Sequence, residues 1–174
     1  DLPALHTLIT QRSLGKIKLS YFGLAHPSYY GIDYEPLPTW DPAPVSEDPY
    51  TRTYYPYEPA PGIYAISAST LQGAVLDPED RDLFSWFRDR DPFAKAGYSI
   101  FLYQVEPTGA AVPVALSGLQ VDEITPETFA QLRTNDLRLR WFNAETSLIL
   151  PSQPGWTIIA GEAPTAWELP QPVA

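Results

Sequence analysis

The sequence predicts an α/β or α+β fold, built on one mixed sheet with two or three helices. Three observations lead to this prediction. A one-sided helical pattern opens the chain, a strand–helix–strand pattern occupies its middle, and short strand patterns prevail in its last third. Hydrophobic residues make up 44% of the chain, enough for a packed interior. We therefore expect one domain, residues 1–174, with an α/β part over residues 1–105 and a mostly antiparallel part over residues 106–174.

The first predicted elements are a helix and a half-buried strand. Asp1 is placed to cap a helix, and apolar residues recur at helical spacing over residues 4–9, so we expect a helix that ends at Gly15. Over residues 16–22, charged or polar side chains alternate with apolar ones. This alternation is typical of a strand with one face in the core.

A proline- and tyrosine-rich loop, residues 23–61, follows the first strand. Eight prolines stand between Pro36 and Pro61, and each fixes φ and removes an amide donor, so we expect neither helix nor strand to run through this stretch. Tyrosine and tryptophan are frequent in the same loop, and their apolar surface favours an ordered loop. The rings either pack on the edge of the sheet or line a cleft, and the sequence leaves both open.

The middle of the chain predicts a parallel crossover. Residues 63–69 have a buried-strand pattern, and residues 77–80 (Asp-Pro-Glu-Asp) begin a helix with acids at its positive end. Phe84 and Phe87 form the buried stripe of that helix. Residues 98–105 are apolar on both faces, as in a central strand. Strand, helix and strand in this order indicate a right-handed parallel unit.

The last third predicts antiparallel hairpins around one short helix. Thr125, followed by proline and glutamate, begins a helix that runs through Leu132. Residues 143–146 separate two apolar runs, as a hairpin turn does. The predicted strands are residues 112–116, 119–124, 137–142, 147–150 and 156–160.

Composition excludes several classes of function. Twenty-one acidic residues against eleven basic ones give a formal net charge of −10, which repels phosphate backbones, so we expect no nucleic-acid partner. The absence of cysteine excludes disulfides, thiolate ligands and thiol nucleophiles. No apolar stretch approaches the roughly 18 residues that span a bilayer.

Catalytic and metal sites find little support in residue types and spacing. The two histidines, His6 and His26, lack the spacing of a metal site, so we predict neither a metal nor a cofactor. His26, Asp33 and a serine would complete a triad, yet no Gly-x-Ser-x-Gly motif accompanies them. A small hydrolase would draw its acid and base from the loop carboxylates, although such residues more often form turns. These carboxylates are Asp33, Glu35, Asp41, Glu47 and Asp48.

The aromatic residues of the loop are the better candidates for a binding site. Tyrosine and tryptophan faces stack on the C–H surfaces of sugars, while their polar ends and nearby acids bond to hydroxyls. We therefore hypothesise a carbohydrate or glycolipid site, with packing on the sheet edge as the alternative for the same rings. The candidate ligand-binding residues are His26, Tyr29, Tyr30, Asp33, Tyr34 and Trp40.

Motifs in the first 105 residues also carry a family resemblance. They are residues 1–5 (DLPAL), residues 19–23 with 26–32 (LSYFG, HPSYYGI), and residues 62–73 with 86–92 and 97–101 (GIYAISASTLQG, WFRDRDP, GYSIF). These segments resemble the C-terminal extracytoplasmic region of bacterial membrane glycosyltransferases of the dolichyl-phosphate-mannose protein mannosyltransferase type.

The resemblance implies a soluble accessory domain of a membrane glycosyltransferase-like protein, on the extracytoplasmic side of a bacterial cell membrane. Such transferases carry their catalytic acid in an early extracytoplasmic loop, so this chain is expected to be non-catalytic even where its parent is an enzyme. The chain opens at Asp1 and contains no methionine, which favours a segment of a longer protein. The expected partners are the membrane core of the parent and a glycan or lipid-linked sugar.

Overall fold

The structure, a computed structural model, describes residues 1–39, 54–147 and 154–161. Within these residues, no helix is both long and apolar enough to cross a membrane. The helices are α1 (Leu2–Arg12), α2 (Ala68–Leu71), α3 (Ser85–Arg88) and α4 (Pro126–Leu132). The strands are β1 (Ile17–Ser20), β2 (Tyr34–Pro36), β3 (Gly62–Ser67), β4 (Ala94–Ala96), β5 (Ile100–Val105), β6 (Val112–Ser117), β7 (Leu137–Trp141) and β8 (Trp156–Ile159). Short 3₁₀ helices cover Pro27–Tyr30, Pro78–Asp80 and Val121–Glu123.

The strands form two sheets, which confirms the predicted α/β or α+β class. The first sheet has the order β2-β1-β3-β5-β4 and mixes parallel and antiparallel pairs. The second has the order β7-β6-β8 and is entirely parallel. The sequence predicted one mixed sheet, whereas the chain divides its strands between two.

The predicted parallel crossover between residues 63–69 and 98–105 is wrong, because β5 runs antiparallel to β3. The parallel pairs of this sheet instead join β1 to β2 and β1 to β3. The short strand β4 turns back into β5 with Ala96 opposite Ile100. As a result β5 starts beside the end of β3, where the Ala68 amide donates to the Ser99 carbonyl at 2.7 Å. A parallel partner would have to start at the other end of β3.

The described strands of the last third pair in parallel, not in the predicted antiparallel arrangement. Strand β6 pairs in parallel with both β7 and β8. Residues 119–124 do not form a strand, because they contain the 3₁₀ helix Val121–Glu123 that leads into α4. This helical connection carries the chain back, so β7 starts at the same end as β6. Residues 148–150, most of the second arm of the predicted hairpin, lie outside the described residues.

Helix α1 begins where the sequence predicts, but Asp1 does not cap it. The Asp1 carboxylate instead accepts hydrogen bonds from the Tyr98 amide, at 3.3 Å, and from the Ser99 hydroxyl. This contact joins the start of the chain to the turn before β5. Tyr98, predicted to lie inside a central strand, is 98% exposed in that turn. The helix ends at Arg12, with Ser13 in the left-handed conformation, earlier than the predicted end at Gly15.

Both faces of the first sheet are buried against other parts of the chain. Side chains along each strand point alternately to one face and to the other. Ala65 of β3 points to the face covered by α1, where Leu2 and Leu5 are buried. Tyr64 points to the opposite face, where it meets Phe84 and Phe87. These two phenylalanines are fully buried, as predicted, although the predicted helix is broken into a 3₁₀ turn and α3. A third cluster lies between the second sheet and α4.

The proline-rich loop contains one strand that the sequence did not predict. Strand β2 pairs in parallel with β1 at the edge of the first sheet. An edge strand tolerates proline, because one of its sides needs no amide donor, and Pro36 ends this strand. The loop also covers Ser20, which was expected on the solvent face of β1. Ser20 is fully buried and donates to the Pro38 carbonyl at 2.8 Å.

Candidate ligand-binding site between the two sheets

Five of the six predicted ligand-binding residues are described, and they lie at the edge of the first sheet and in the turn before it. The rings of His26 and Tyr29 meet edge to face with centroids 5.9 Å apart, and both side chains are exposed. Tyr30 is 39% exposed, and Asp33 is exposed. Tyr34 begins β2 and packs against the core cluster under α1. Trp40, the last of the six, lies outside the described residues. Binding by these six residues stays a prediction.

A cavity of about 250 Å³ lies between the two sheets, and none of the five described candidate residues is part of its lining. Strands β1 and β2 border it on one side, and β7 and α4 on the other, with the segment of residues 54–61 between them. Its polar lining consists of Lys18, Glu35, Glu58 and Asn135. Its apolar lining includes Tyr55, Ala60, Phe129, Leu137, Leu139 and Trp141.

The aromatic side of the cavity is built on a stacked pair of rings. Tyr55 lies parallel to Phe129, with ring centroids 3.8 Å apart and an angle of 6° between the planes. Phe129 is held by α4, whose first turn is capped by the Thr125 hydroxyl accepting from the Thr128 amide at 3.3 Å. Tyr55 is only 3% exposed, yet its hydroxyl has no hydrogen-bond partner. An unpaired buried polar group costs about 1–3 kcal/mol, so a hydrogen-bond partner for this hydroxyl would be stabilising.

The opposite side of the cavity is charged. Lys18 and Glu35 face each other in the register of β1 and β2, and their Nζ and Oε2 atoms are 3.0 Å apart. The Lys18 ammonium also lies 5.8 Å from the centre of the Tyr64 ring. Glu58 accepts from the Thr108 hydroxyl at 3.1 Å. Among the described residues, the cavity is therefore lined by one cation and two carboxylates.

Asn135 holds together the segments that border the cavity. Its Oδ1 accepts from the Thr108 amide at 2.8 Å, and its Nδ2 donates to the carbonyls of Pro59 at 2.9 Å and Glu106 at 3.1 Å. The side chain is 2% exposed. These bonds tie residues 54–61 and the link between the sheets to the turn before β7, and they thereby position Glu58 and Tyr55.

Burial keeps the phenol of Tyr55 protonated. Loss of solvent, together with the neighbouring Tyr57, Glu58 and Glu127, raises the pKa of Tyr55 to about 12. The pKa values of Tyr54 and Tyr64 are also raised, mainly by burial. At neutral pH the Tyr55 hydroxyl is therefore an uncharged donor and acceptor.

These raised tyrosine pKa values predict a loss of stability at alkaline pH. In the unfolded chain tyrosine ionises near pH 10, whereas in the folded chain Tyr54, Tyr55 and Tyr64 resist ionisation. The stabilisation is fully present below about pH 10 and is lost as pH rises towards the folded pKa values. Urea unfolding followed by circular dichroism should show the free energy of unfolding falling above about pH 10, and falling less steeply in Tyr54→Phe. A free energy that rises above that pH would contradict the burial of these phenols.

Three polar side chains outside the cavity, those of Arg88, Arg90 and His6, have structural surroundings. Arg88 donates to the Leu71 carbonyl and to Asp82, each at 2.7 Å, and so joins α2 to α3. The Arg90 guanidinium lies 3.5 Å from the centre of the Trp86 ring. The His6 ring lies beside Gly31. Within the described ranges, no group of three histidines or carboxylates is placed to hold a metal ion. The loop carboxylates Asp41, Glu47 and Asp48 lie outside the described residues.

Comparisons with known proteins return no relative. No protein-family model, curated protein or solved structure matches this chain. The resemblance to mannosyltransferase-type membrane proteins therefore stays a prediction from the motifs alone.

Apart from Glu35, one of the candidate loop carboxylates, the residues that line the cavity were not selected from the sequence. Leu137, Leu139 and Trp141 share one face of β7 by alternation, and that pattern was visible in the sequence. Lys18 and Asn135 gave no comparable signal, because a lone lysine in a strand and a lone asparagine before one are common.

Proposed function

We propose that this chain is a non-catalytic binding domain that holds one sugar unit in the cavity between its sheets. The observation that carries this proposal is the cavity itself, where aromatic and aliphatic side chains face a set of hydrogen-bonding groups. We further propose that the domain is an accessory part of a membrane glycosyltransferase-like protein, for which the motif resemblance is the support.

The chemistry of the lining suits a sugar. A pyranose ring has C–H surfaces that pack on apolar side chains, and the ring of Trp141 and the side chain of Leu139 offer such surfaces. Its rim carries hydroxyls that donate to carboxylates and accept from ammonium and amide groups. Lys18 supplies an ammonium group and Glu58 a carboxylate, whereas both amide hydrogens of Asn135 are engaged by backbone carbonyls. A mostly apolar cavity with a few placed polar groups is the usual form of a small-molecule site.

The size of the cavity limits the ligand to a small one. Ligand pockets commonly measure about 300–1,000 Å³, and this cavity is smaller, at about 250 Å³. One sugar ring is therefore a better fit than an oligosaccharide. The terminal unit of a glycan and the sugar of a lipid-linked donor both present such a ring.

The carboxylates of the cavity support binding rather than hydrolysis. Glu35 is ion-paired with Lys18, and Glu58 accepts from Thr108. Carboxylates in these positions accept hydrogen bonds from ligand hydroxyls. In a glycosidase, one carboxyl group of a pair donates a proton to the leaving group, whereas here Glu35 is held by the ammonium group of Lys18.

Filling the cavity should abolish sugar binding. Ala60→Leu adds side-chain volume to the cavity lining without removing any polar group, so the ligand loses its space. Binding is measured by protein-observed NMR with methyl glycosides of glucose, galactose and mannose at millimolar concentration. Ala110→Leu makes the same change at an exposed position and serves as the control.

We expect shifts that saturate for the unchanged protein and for Ala110→Leu, and no shifts for Ala60→Leu. No binding by any of these glycosides, or equal binding by the two variants, would contradict the proposed site. The accessory role has a separate test, because the parent gene should encode membrane-spanning helices upstream of Asp1. A reading frame without them would contradict that role and leave the sugar site standing.

A further inference from the structure

We infer that the cavity selects uncharged sugars over acidic ones, and that the Tyr55 hydroxyl donates a hydrogen bond to an oxygen of the bound sugar. This inference rests on the proposed function and adds to it the class of ligand and a residue that determines specificity. It stands on three features of the described residues: a fixed ring, a buried hydroxyl without a partner, and a negatively charged lining.

The ring of Tyr55 is held in place from two sides. One face stacks on Phe129 at 3.8 Å, and Tyr57 meets the ring edge to face, with centroids 5.5 Å apart. A ring packed in this way cannot swing to find another partner for its hydroxyl. The position of the Tyr55 ring, which belongs to the lining of the cavity, is therefore set before a ligand arrives.

The hydroxyl has a hydrogen to donate and no partner within the described residues. Burial raises the pKa of Tyr55 to about 12, and the neighbouring Glu58 and Glu127 contribute to this shift. The group therefore stays a neutral phenol throughout the physiological range. A hydroxyl, a ring oxygen or an acetamido carbonyl of a sugar would accept its hydrogen bond.

The charges around the cavity oppose an anionic ligand. The cation in the lining, Lys18, is engaged by Glu35 at 3.0 Å. Glu58 adds a second carboxylate to the lining, and Glu127 is close enough to Tyr55 to affect its ionisation. A carboxylate or phosphate on the ligand would have to displace Glu35 from Lys18 while facing the other acids. The net charge of −10 on the whole chain adds to this repulsion.

The test compares ligands that differ only in charge. Methyl glycosides of glucose, galactose and mannose are each paired with the corresponding methyl uronoside, in which a carboxylate replaces the primary alcohol. Dissociation constants are measured by NMR titration of the full chain. We expect each neutral glycoside that binds to do so at least about tenfold more tightly than its acidic counterpart.

The role of Tyr55 is tested with Tyr55→Phe, which keeps the stacked ring and removes only the hydroxyl. We expect binding of the neutral glycoside to weaken about five- to tenfold, the effect of one lost hydrogen bond. The thermal midpoint without sugar should stay the same or rise, because a buried hydroxyl without a partner has been removed. Tyr98→Phe, whose residue is 98% exposed and does not line the cavity, is the matched control and should bind normally.

The outcomes separate this inference from the proposed function. Equal affinity for neutral and acidic sugars, or unchanged binding by Tyr55→Phe, would overturn the inference while the sugar site itself stands. Failure of every sugar to bind the unchanged protein would overturn the proposed function and the inference with it.

Discussion

Replacing Phe87 with alanine should lower the free energy of unfolding by about 3–5 kcal/mol. Phe87 is fully buried, and its ring centroid lies 4.9 Å from that of Tyr64 and 5.1 Å from that of Tyr103. Truncation removes these contacts and leaves a cavity between α3 and the first sheet. Because domains are typically stable by about 5–15 kcal/mol, this one change removes a large share of the total.

The measurement is urea unfolding followed by circular dichroism. Tyr98→Ala is the matched control, because it truncates an aromatic side chain that is 98% exposed, and it should change the free energy of unfolding by no more than about 0.5 kcal/mol. A cost below about 1 kcal/mol for Phe87→Ala would show that this face of the sheet is not packed as described.

Replacing Asn135 with alanine should cost about 2–4 kcal/mol of stability. The change leaves the Thr108 amide and the carbonyls of Pro59 and Glu106 without their side-chain partner. Each buried group that loses its partner costs about 1–3 kcal/mol, and water entering from the adjacent cavity offsets part of the sum. Because these bonds position the segment that carries Glu58, sugar binding should weaken in the same variant.

Two further variants test whether the lost hydrogen bonds of Asn135 cause the loss of stability. Asn135→Asp keeps the shape and the Oδ1 acceptor but replaces the donor with a charge beside two carbonyl oxygens, so it should also be strongly destabilising. Asn143→Ala removes an exposed bond to the Glu145 amide and should cost less than about 1 kcal/mol. Unfolding in urea measures both. If Asn135→Asp were as stable as the unchanged protein, the donor bonds to Pro59 and Glu106 would not hold this junction.

Local sequence signals were sufficient to predict several secondary-structure elements. The helix predicted from Thr125 through Leu132 is present as α4, because a capping hydroxyl, a proline in the first turn and an apolar stripe all act within one short segment. The burial of Phe84 and Phe87 was also predicted correctly, although the single helix predicted around them is broken. Strand positions near residues 17–20 and 100–105 followed from the pattern of apolar side chains.

The direction of the strands could not be predicted from such local signals. Strand β4 is three residues long and has no distinct pattern, yet its hairpin reverses β5 relative to β3. In the second sheet the strand–helix–strand order of β6, α4 and β7 indicated a parallel pair. That order was missed because residues 119–124 were predicted to form a strand. Direction depends on which end of a strand the chain returns to, and short connecting elements decide it.

By itself, the sequence determined the class of fold, the acidic character of the chain and the aromatic residues available for a ligand. Only the tertiary structure decided which of them meet. Lys18, Tyr55 and Asn135 come from a strand, a loop and a turn far apart in the chain, and they share a cavity because two sheets pack around residues 54–61. Composition and local spacing report the preferences of single segments, whereas a cavity arises where segments distant in sequence fail to fill the space between them.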